Sequence, residues 1–339
     1  MNYIDMHCDT LSEAFLRGRK DIFDFPEAMV DVKRLKKAGA AAQFFAIYMM
    51  PQTGESLRDA KPERDERSSR KSRDSAIPDD DLYIEALCKI MEDTVREHPE
   101  LIAVTRSAEE LEDNLAGKRI SAFLTLEDGR AVQGSMDRLE DFYKMGIRLI
   151  SLTWNFANCF GSPNSTDRTV MEQGLTAFGK EAVSRMEELG MIVDVSHLSD
   201  GGFLDVAQVL HGPFVASHSN CRALSPHPRN LTDDMLRTLG ERGGVAGLNF
   251  FPAFLHRDET REDSTVRHMA AHIKHMVNKG GIECAAIGTD FDGIHGQLEI
   301  GEPQKMHLLF ERLEQEGFTT GEIEKIAFGN VRRVIHSLL

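Results

Sequence analysis

Residues 191–218 read MIVDVSHLSDGGFLDVAQVLHGPFVASH. Two short apolar runs, 191–197 and 214–218, each end in Ser-His, and a longer segment with polar flanks separates them. A short apolar run fits a strand buried on both faces, and its return after a longer segment marks a β/α unit. The same rhythm covers the chain. Working outward, runs of this kind stand at 3–9, 41–50, 120–127, 147–154, 245–250 and 285–290. Between the runs, the spacing predicts helices that include 81–97, 136–144, 175–189, 233–239, 264–279 and 302–315. Thr232 before Asp233 and Asp234 is an N-cap with acids in the first turn, and Gly190, Gly280 and Gly317 stand where helices should stop. Eight strands alternating with helices predict an α/β chain folded as a (β/α)8 TIM-like barrel rather than an open doubly wound sheet. The barrel is expected to occupy residues 1–339 as one domain.

Residues 54–80 break the rhythm with mixed charges, two prolines and almost no apolar side chains. Such a segment cannot bury itself, so it reads as a solvated polar insertion placed after the second run, on the face where a barrel builds its sites, with a mobile lid or a subunit contact as the alternative. The 339 residues are 41% hydrophobic and 28% charged, an ordinary globular balance. With 40 Lys and Arg against 55 Asp and Glu, the net charge of −15 repels phosphate backbones and anionic membrane surfaces, so neither is expected as a partner. Five cysteines without a C-x-x-C pair, and no leader-like segment before the first run, read as a reduced, cytoplasmic protein.

The chemistry lies at the ends of the runs. His7 and Asp9 are two residues apart on a strand, so alternation puts both on one face, where they can hold a cation; Cys8 between them points away as a packed thiol. The run 120–127 ends in Glu127, followed by Asp128 and Gly129, which sets a carboxylate at the barrel mouth. His197 and His218 end two other runs at the same height. Three histidines and two carboxylates exceed the needs of one tetrahedral zinc, whereas two divalent ions sharing Glu127 as a bridge use all five. Asp290, at the end of 285–290, is the acid/base candidate. Asp292 shares its parity and competes, with a turn beside Gly293 as its other role. In the loop after His218, Arg229 can clamp a carboxylate with its planar fork, or bond loop carbonyls, and Arg222 is a second candidate. His268, His272 and His275 fall at helical spacing and read as a solvated helix face.

Taken in order, D-M-H-C-D-T at 5–10, E-D-G at 127–129, V-S-H at 195–197, S-H-S-N at 217–220, P-R-N-L-T-D-D at 228–234, G-T-D-F-D-G at 288–293 and G-N-V-R-R-V at 329–334 resemble the renal, or membrane, dipeptidase family of zinc peptidases. The resemblance implies a TIM-like barrel with two zinc ions, one held by His7, Asp9 and Glu127 and the other by Glu127, His197 and His218. Arg229 and Asp290 match the family's substrate-binding and acid/base positions. Two positions depart from it. Where relatives often carry histidine in an L-T-H context, this chain has Trp154-Asn155, and where they often carry tyrosine after Asn-Phe, it has Phe251. The contact credited to that histidine passes to Trp154, Asn155 or Asn158, and Trp154, Asn155 and Phe251 are expected to face substrate.

The reading that follows is a binuclear zinc dipeptidase. The two ions bring the pKa of a shared water down to about 7 and so make hydroxide available to attack the peptide carbonyl. Asp290 takes the proton and passes it to the leaving amine, while Arg229 holds the C-terminal carboxylate of a small dipeptide, including one ending in a D-residue. Two alternatives stand beside it: an amidohydrolase of N-acyl amino acids or cyclic amides, and an inactive metal- or peptide-binding relative. Family habit implies a homodimer.

Overall fold

The computed structural model describes residues 1–51, 79–258 and 260–339. In chain order the strands are β1 (Tyr3–Cys8), β2 (Ala40–Tyr48), β3 (Ile102–Val104), β4 (Ile120–Glu127), β5 (Ile147–Ser151), β6 (Ile192–Asp194), β7 (Val215–Ala216), β8 (Val245–Leu248), β9 (Asp263–Ser264), β10 (Ala285–Ile287) and β11 (Gln297–Leu298). Eight of them, β1, β2, β4, β5, β6, β7, β8 and β10, form a closed parallel ring. Closure is made by β1, which pairs with β2 on one side and with β10 on the other, setting Asp5 opposite Ile287. The expected (β/α)8 barrel is therefore the fold.

The ninth strand of the sheet, β3, is a short addition that pairs with the start of β4, before β5 joins that strand. Three residues, Ile-Ala-Val, give no readable period, which is why the sequence does not announce it. β9 and β11 form a separate parallel pair that ties together the loops after β8 and β10.

Each ring strand sends apolar side chains inward. Ile4, Met6, Phe44, Phe123, Leu149, Ile192, Val215, Val245 and Ala286 share one buried cluster with Val331, Val334 and Ile335 of the C-terminal helix Asn330–Leu338. The barrel interior is thus a packed floor, closed from below by that helix, and Phe44 stacks on Phe123 within it with ring centres 4.6 Å apart. The opposite strand faces join the helices in a second, larger core.

Helices follow the expected signals closely. Thr232 caps Asp233–Glu241 by accepting from the Met235 amide, and Gly190 ends Ala177–Leu189 in the left-handed conformation at φ 73°. Most of the insertion expected at 54–80 lies outside the described residues; its end begins the helix Asp80–Glu97, capped by Asp79. One expectation is corrected. His272 is buried rather than solvated: its Nδ1 accepts from the Cys221 amide at 3.1 Å and its Nε2 donates to the Leu255 carbonyl at 3.2 Å. His275 pairs with Asp233 at 2.7 Å, and His268 bonds Thr265 at 2.8 Å, so the three imidazoles go to three different partners. Helical spacing says which residues share a face, and here that face turns inward against the loop after β7.

Because the floor carries the site above it, Phe123→Ala should destabilise the fold by about 3–5 kcal/mol. Urea unfolding with an unchanged m-value would measure this, and a loss below about 1 kcal/mol would mean that the floor is not the supporting layer.

Candidate metal centre at the barrel mouth

Glu127 is the last residue of β4, with Tyr48 of β2 and Ser151 of β5 opposite it in register. Its Oε2 lies 3.4 Å from His7 Nε2, and its Oε1 lies 3.1 Å from His197 Nε2 and 3.4 Å from His218 Nε2. His7 Nε2 is also 3.9 Å from Asp9 Oδ1 and 3.8 Å from Asp290 Oδ1. The rings of His7 and His218 stack with centres 3.8 Å apart, and the Nε2 atoms of His197 and His218 are 3.2 Å apart. His7, Asp9, Glu127, His197, His218 and Asp290 therefore meet in one largely buried group at the C-terminal end of the ring.

The backbone is bent to bring them there. His197 at φ 68°, Asp290 at φ 63° and Asp128 at φ 83° are non-glycine residues in a left-handed conformation, and all three follow strand ends at the mouth. His197 is held by Asn164, whose backbone and side-chain amides both donate to its carbonyl, at 2.7 and 3.0 Å. At Gly293 an added Cβ would collide with the carboxylates of both Asp290 and Asp9, so only glycine lets the loop pass beside them.

The partners of the histidines fix their tautomers. Ser217 Oγ donates its one proton to Asp194 Oδ2 at 2.6 Å, so the 2.7 Å contact to His218 Nδ1 must be donated by the imidazole. His218 Nε2 is then the bare nitrogen facing Glu127. Asn155 Oδ1 receives His197 Nδ1 at 3.2 Å, with the same consequence for that ring.

Burial by itself depresses the pKa of His7, but Glu127, Asp9 and Asp290 outweigh it and push the imidazolium up to about 10. His197 falls to about 4 through burial and the neighbouring Arg229, and His218 falls well below the usual value through burial and the charge on His7. Burial raises Asp290, whereas the three imidazoles hold Glu127 low despite its burial. Three carboxylates thus crowd one protonated imidazole, a place a cation would fill. Among the described residues, His7 Nδ1 and Nε2 are buried without a hydrogen-bond partner, and His7–Glu127–His218 and His7–Asp9–Asp290 each bring three ligand atoms within 4.8 Å of one another. These nitrogen and carboxylate donors fit divalent metal, and no thiolate competes because Cys8 packs in the outer core. A further group, His256, Asp263 and His268, lies where the loop after β8 runs into the helix Val266–Gly280, with Asp263 gripped in bidentate fashion by Arg261.

Arg229 is buried; its Nη1 donates to Ser219 Oγ at 2.9 Å and its Nη2 to the His218 carbonyl at 3.2 Å, with the guanidinium 5.5 Å from the Phe254 ring centre. Arg222 is committed elsewhere, to Asp200 and two loop carbonyls. Trp154 is half-buried, its ring 5.1 Å from Tyr48 and 6.2 Å from His197, so it borders the centre as an apolar wall. Asn155 supports His197, and Phe251 packs against Phe254 and His295. Asn158 is used by Asp128 and the Leu152 carbonyl. Asp292 accepts from Thr10 and from the amides of Met29 and Val30, so it braces the loop after β1 while Asp290 faces His7.

The roles of Asp194, Ser217 and Asn249 escape a reading by motif, although Ser217 opens the quoted S-H-S-N and Asn249 the Asn-Phe before Phe251. Each is a polar residue inside or just after an apolar run, in V-D-V, A-S-H and L-N-F, and that placement was the available signal.

Comparisons with known proteins agree with this geometry. The chain matches the family model described as membrane dipeptidase, peptidase family M19, over residues 1–338. An uncharacterized Klebsiella pneumoniae protein from the pqqA 5′ region is 36% identical over 239 residues, 68% of this chain and 87% of its own length. Dipeptidase tcpJ of Claviceps purpurea is 27% identical over 310 residues, 91% of this chain and 69% of its own. The crystal structure of dipeptidase AC, a family M19 metallopeptidase, superposes with a TM-score of 0.85 at 25% identity, covering 100% of this chain and 98% of that one. With the barrel, the converging imidazoles and carboxylates, and a match from end to end, the chain belongs to the membrane dipeptidase family, peptidase family M19.

Proposed function

We propose that this protein is a zinc-dependent dipeptidase with two metal ions bridged by Glu127, acting on small dipeptides with either an L- or a D-residue at the C-terminus. The observation that carries the reading is a single buried carboxylate, Glu127, facing three imidazole Nε2 atoms at 3.1–3.4 Å. Membership of the family and the dipeptidases among its relatives support the reaction class. His7, Asp9 and Glu127 would hold one ion, and Glu127, His197 and His218 the other. When bound, the pair supplies a water activated near neutral pH and Lewis-acid polarisation of the scissile carbonyl.

The remaining work falls to the chain's own groups. Asp290 presents Oδ1 toward the centre, where it accepts the proton of the attacking water and returns it to the departing amine. Arg229, set beside His218, receives the free C-terminal carboxylate and restricts the site to short substrates. Trp154 and Tyr48, with ring centres 5.1 Å apart, form an aromatic side to the site.

Metal content and turnover of a mixed L,L and L,D dipeptide library, before and after chelation, test the reading. About two ions per chain with chelator-sensitive turnover are expected, whereas turnover of acyl or cyclic amides alone would replace it with the amidohydrolase alternative. Asp290→Asn should keep the metal and lose about 100- to 10,000-fold in kcat, while Glu127→Ala should lose the metal too; equal metal loss in both would merge their roles. Arg229→Ala should raise KM for free dipeptides and leave C-terminal amides little changed. Equal effects on both substrates would remove Arg229 from carboxylate binding.

A further inference from the structure

Asn249 follows β8 and is fully buried. Its Oδ1 accepts from the Phe251 amide at 2.7 Å, which fixes the orientation of the side-chain amide. Both Nδ2 protons then have one destination each: Asp290 Oδ2 at 2.8 Å and the His218 carbonyl at 3.3 Å. Among the described residues this is the only hydrogen bond to the Asp290 carboxylate, and it leaves Oδ1 as the oxygen turned toward His7.

Asn249 is itself clamped. Its backbone amide donates to Asn220 Oδ1 at 2.8 Å, and Asn220 Nδ2 donates back to its carbonyl at 2.8 Å. The Asn220 amide donates to Asn230 Oδ1 at 3.2 Å, and Asn230 Nδ2 joins Asn220 Nδ2 on the Phe254 carbonyl. Asn230 is the residue after Arg229. Three buried asparagines therefore link the loop that carries Arg229 to the carboxylate of Asp290.

We propose that Asn249 is a positioning residue that holds Asp290 by Oδ2, so that Oδ1 alone carries the proton, and that the Asn220–Asn230–Asn249 network keeps this oxygen in register with the guanidinium of Arg229. The proposal rests on the role given to Asp290 above. An amide suits this position because it donates to the carboxylate without adding charge to a centre already crowded with carboxylates. The local turn and the contact to Asp290 are separable, because a serine hydroxyl can accept from the Phe251 amide but is too short to reach Asp290.

Two variants and two readouts test it. Asn249→Ser keeps the turn acceptor and removes the donor. Asn249→Asp keeps the shape and sets a carboxylate against a carboxylate, and it remains available should the serine variant fold poorly. Crystal structures of both should show the Asp290 carboxylate rotated from its wild-type rotamer. Dipeptide kinetics should show kcat reduced about 10- to 100-fold for Asn249→Ser and further for Asn249→Asp, with KM and metal content close to wild type. An unmoved Asp290 with wild-type kcat in both variants would overturn the proposal. Wild-type protein that hydrolyses no dipeptide would instead sink the function proposed above, and the Asp290 rotamer in the two crystal structures would still decide the role of Asn249.

Discussion

The carboxylate of Asp194 is the interaction on which the mouth of the barrel depends. It is completely buried at the end of β6 and accepts four hydrogen bonds: from Ser151 Oγ at 2.5 Å, the Ser196 amide at 2.9 Å, the Ser217 amide at 2.8 Å and Ser217 Oγ at 2.6 Å. Those donors come from the ends of β5, β6 and β7, so one charge levels three strands. A buried carboxylate without such donors would be costly, and its full satisfaction is what makes the position tolerable. The same carboxylate sets the tautomer of His218 through Ser217. Strand register and imidazole chemistry are consequently one arrangement rather than two.

Above that level the chain bends away from regular structure at two of the candidate site residues, His197 and Asp290. The regular strands β6, β7 and β10 end at Asp194, Ala216 and Ile287, short of His197, His218 and Asp290, and past β10 an isolated bridge from Cys8 to Phe291 continues the pairing with β1. Outside the regular strands the chain can adopt the left-handed conformations of His197 and Asp290, and the Asp290 amide still donates to the His7 carbonyl at 3.2 Å. Each is then caught by side chains from other loops, Asn164 for the first and Asn249 for the second. Positive φ at Asp128, His197 and Asp290 is gathered at the mouth, while the floor of apolar side chains below is buried in one cluster.

The barrel was legible because parallel strands buried on both faces read as unbroken apolar runs, and the site was legible because each run ends in a residue that no core would choose. His7, Asp9, Glu127, His197, His218 and Asp290 all stand at such ends. The second layer was hidden for a different reason. Asp194 meets Ser217 across 23 residues and Asn249 meets Asp290 across 41, so their roles depend on pairings that only the closed ring creates. Asn155 shows the same limit: its neighbour Trp154 is the conspicuous departure from histidine, yet it is the asparagine that reaches His197 with a hydrogen bond. For His272 the spacing was correct and the direction was not, because the loop after β7 supplied a backbone amide that made an inward imidazole favourable.

The two arginines of one loop separate structure from function on physical grounds. Arg222 meets Asp200 in fork-to-fork fashion and also donates to the Asn230 and Pro228 carbonyls, so its fixed planar donors brace the loop. Arg229 lies seven residues on, buried against Phe254 and hydrogen-bonded to Ser219 and the His218 carbonyl, close enough to depress the pKa of His197 and His218. A guanidinium beside histidines that face carboxylates balances part of the negative charge at the mouth and keeps those imidazoles neutral, the state in which they can donate a lone pair. Arg222 braces the loop in which Arg229 stands, and Asn220, Asn230 and Asn249 join that loop to Asp290 by hydrogen bonds.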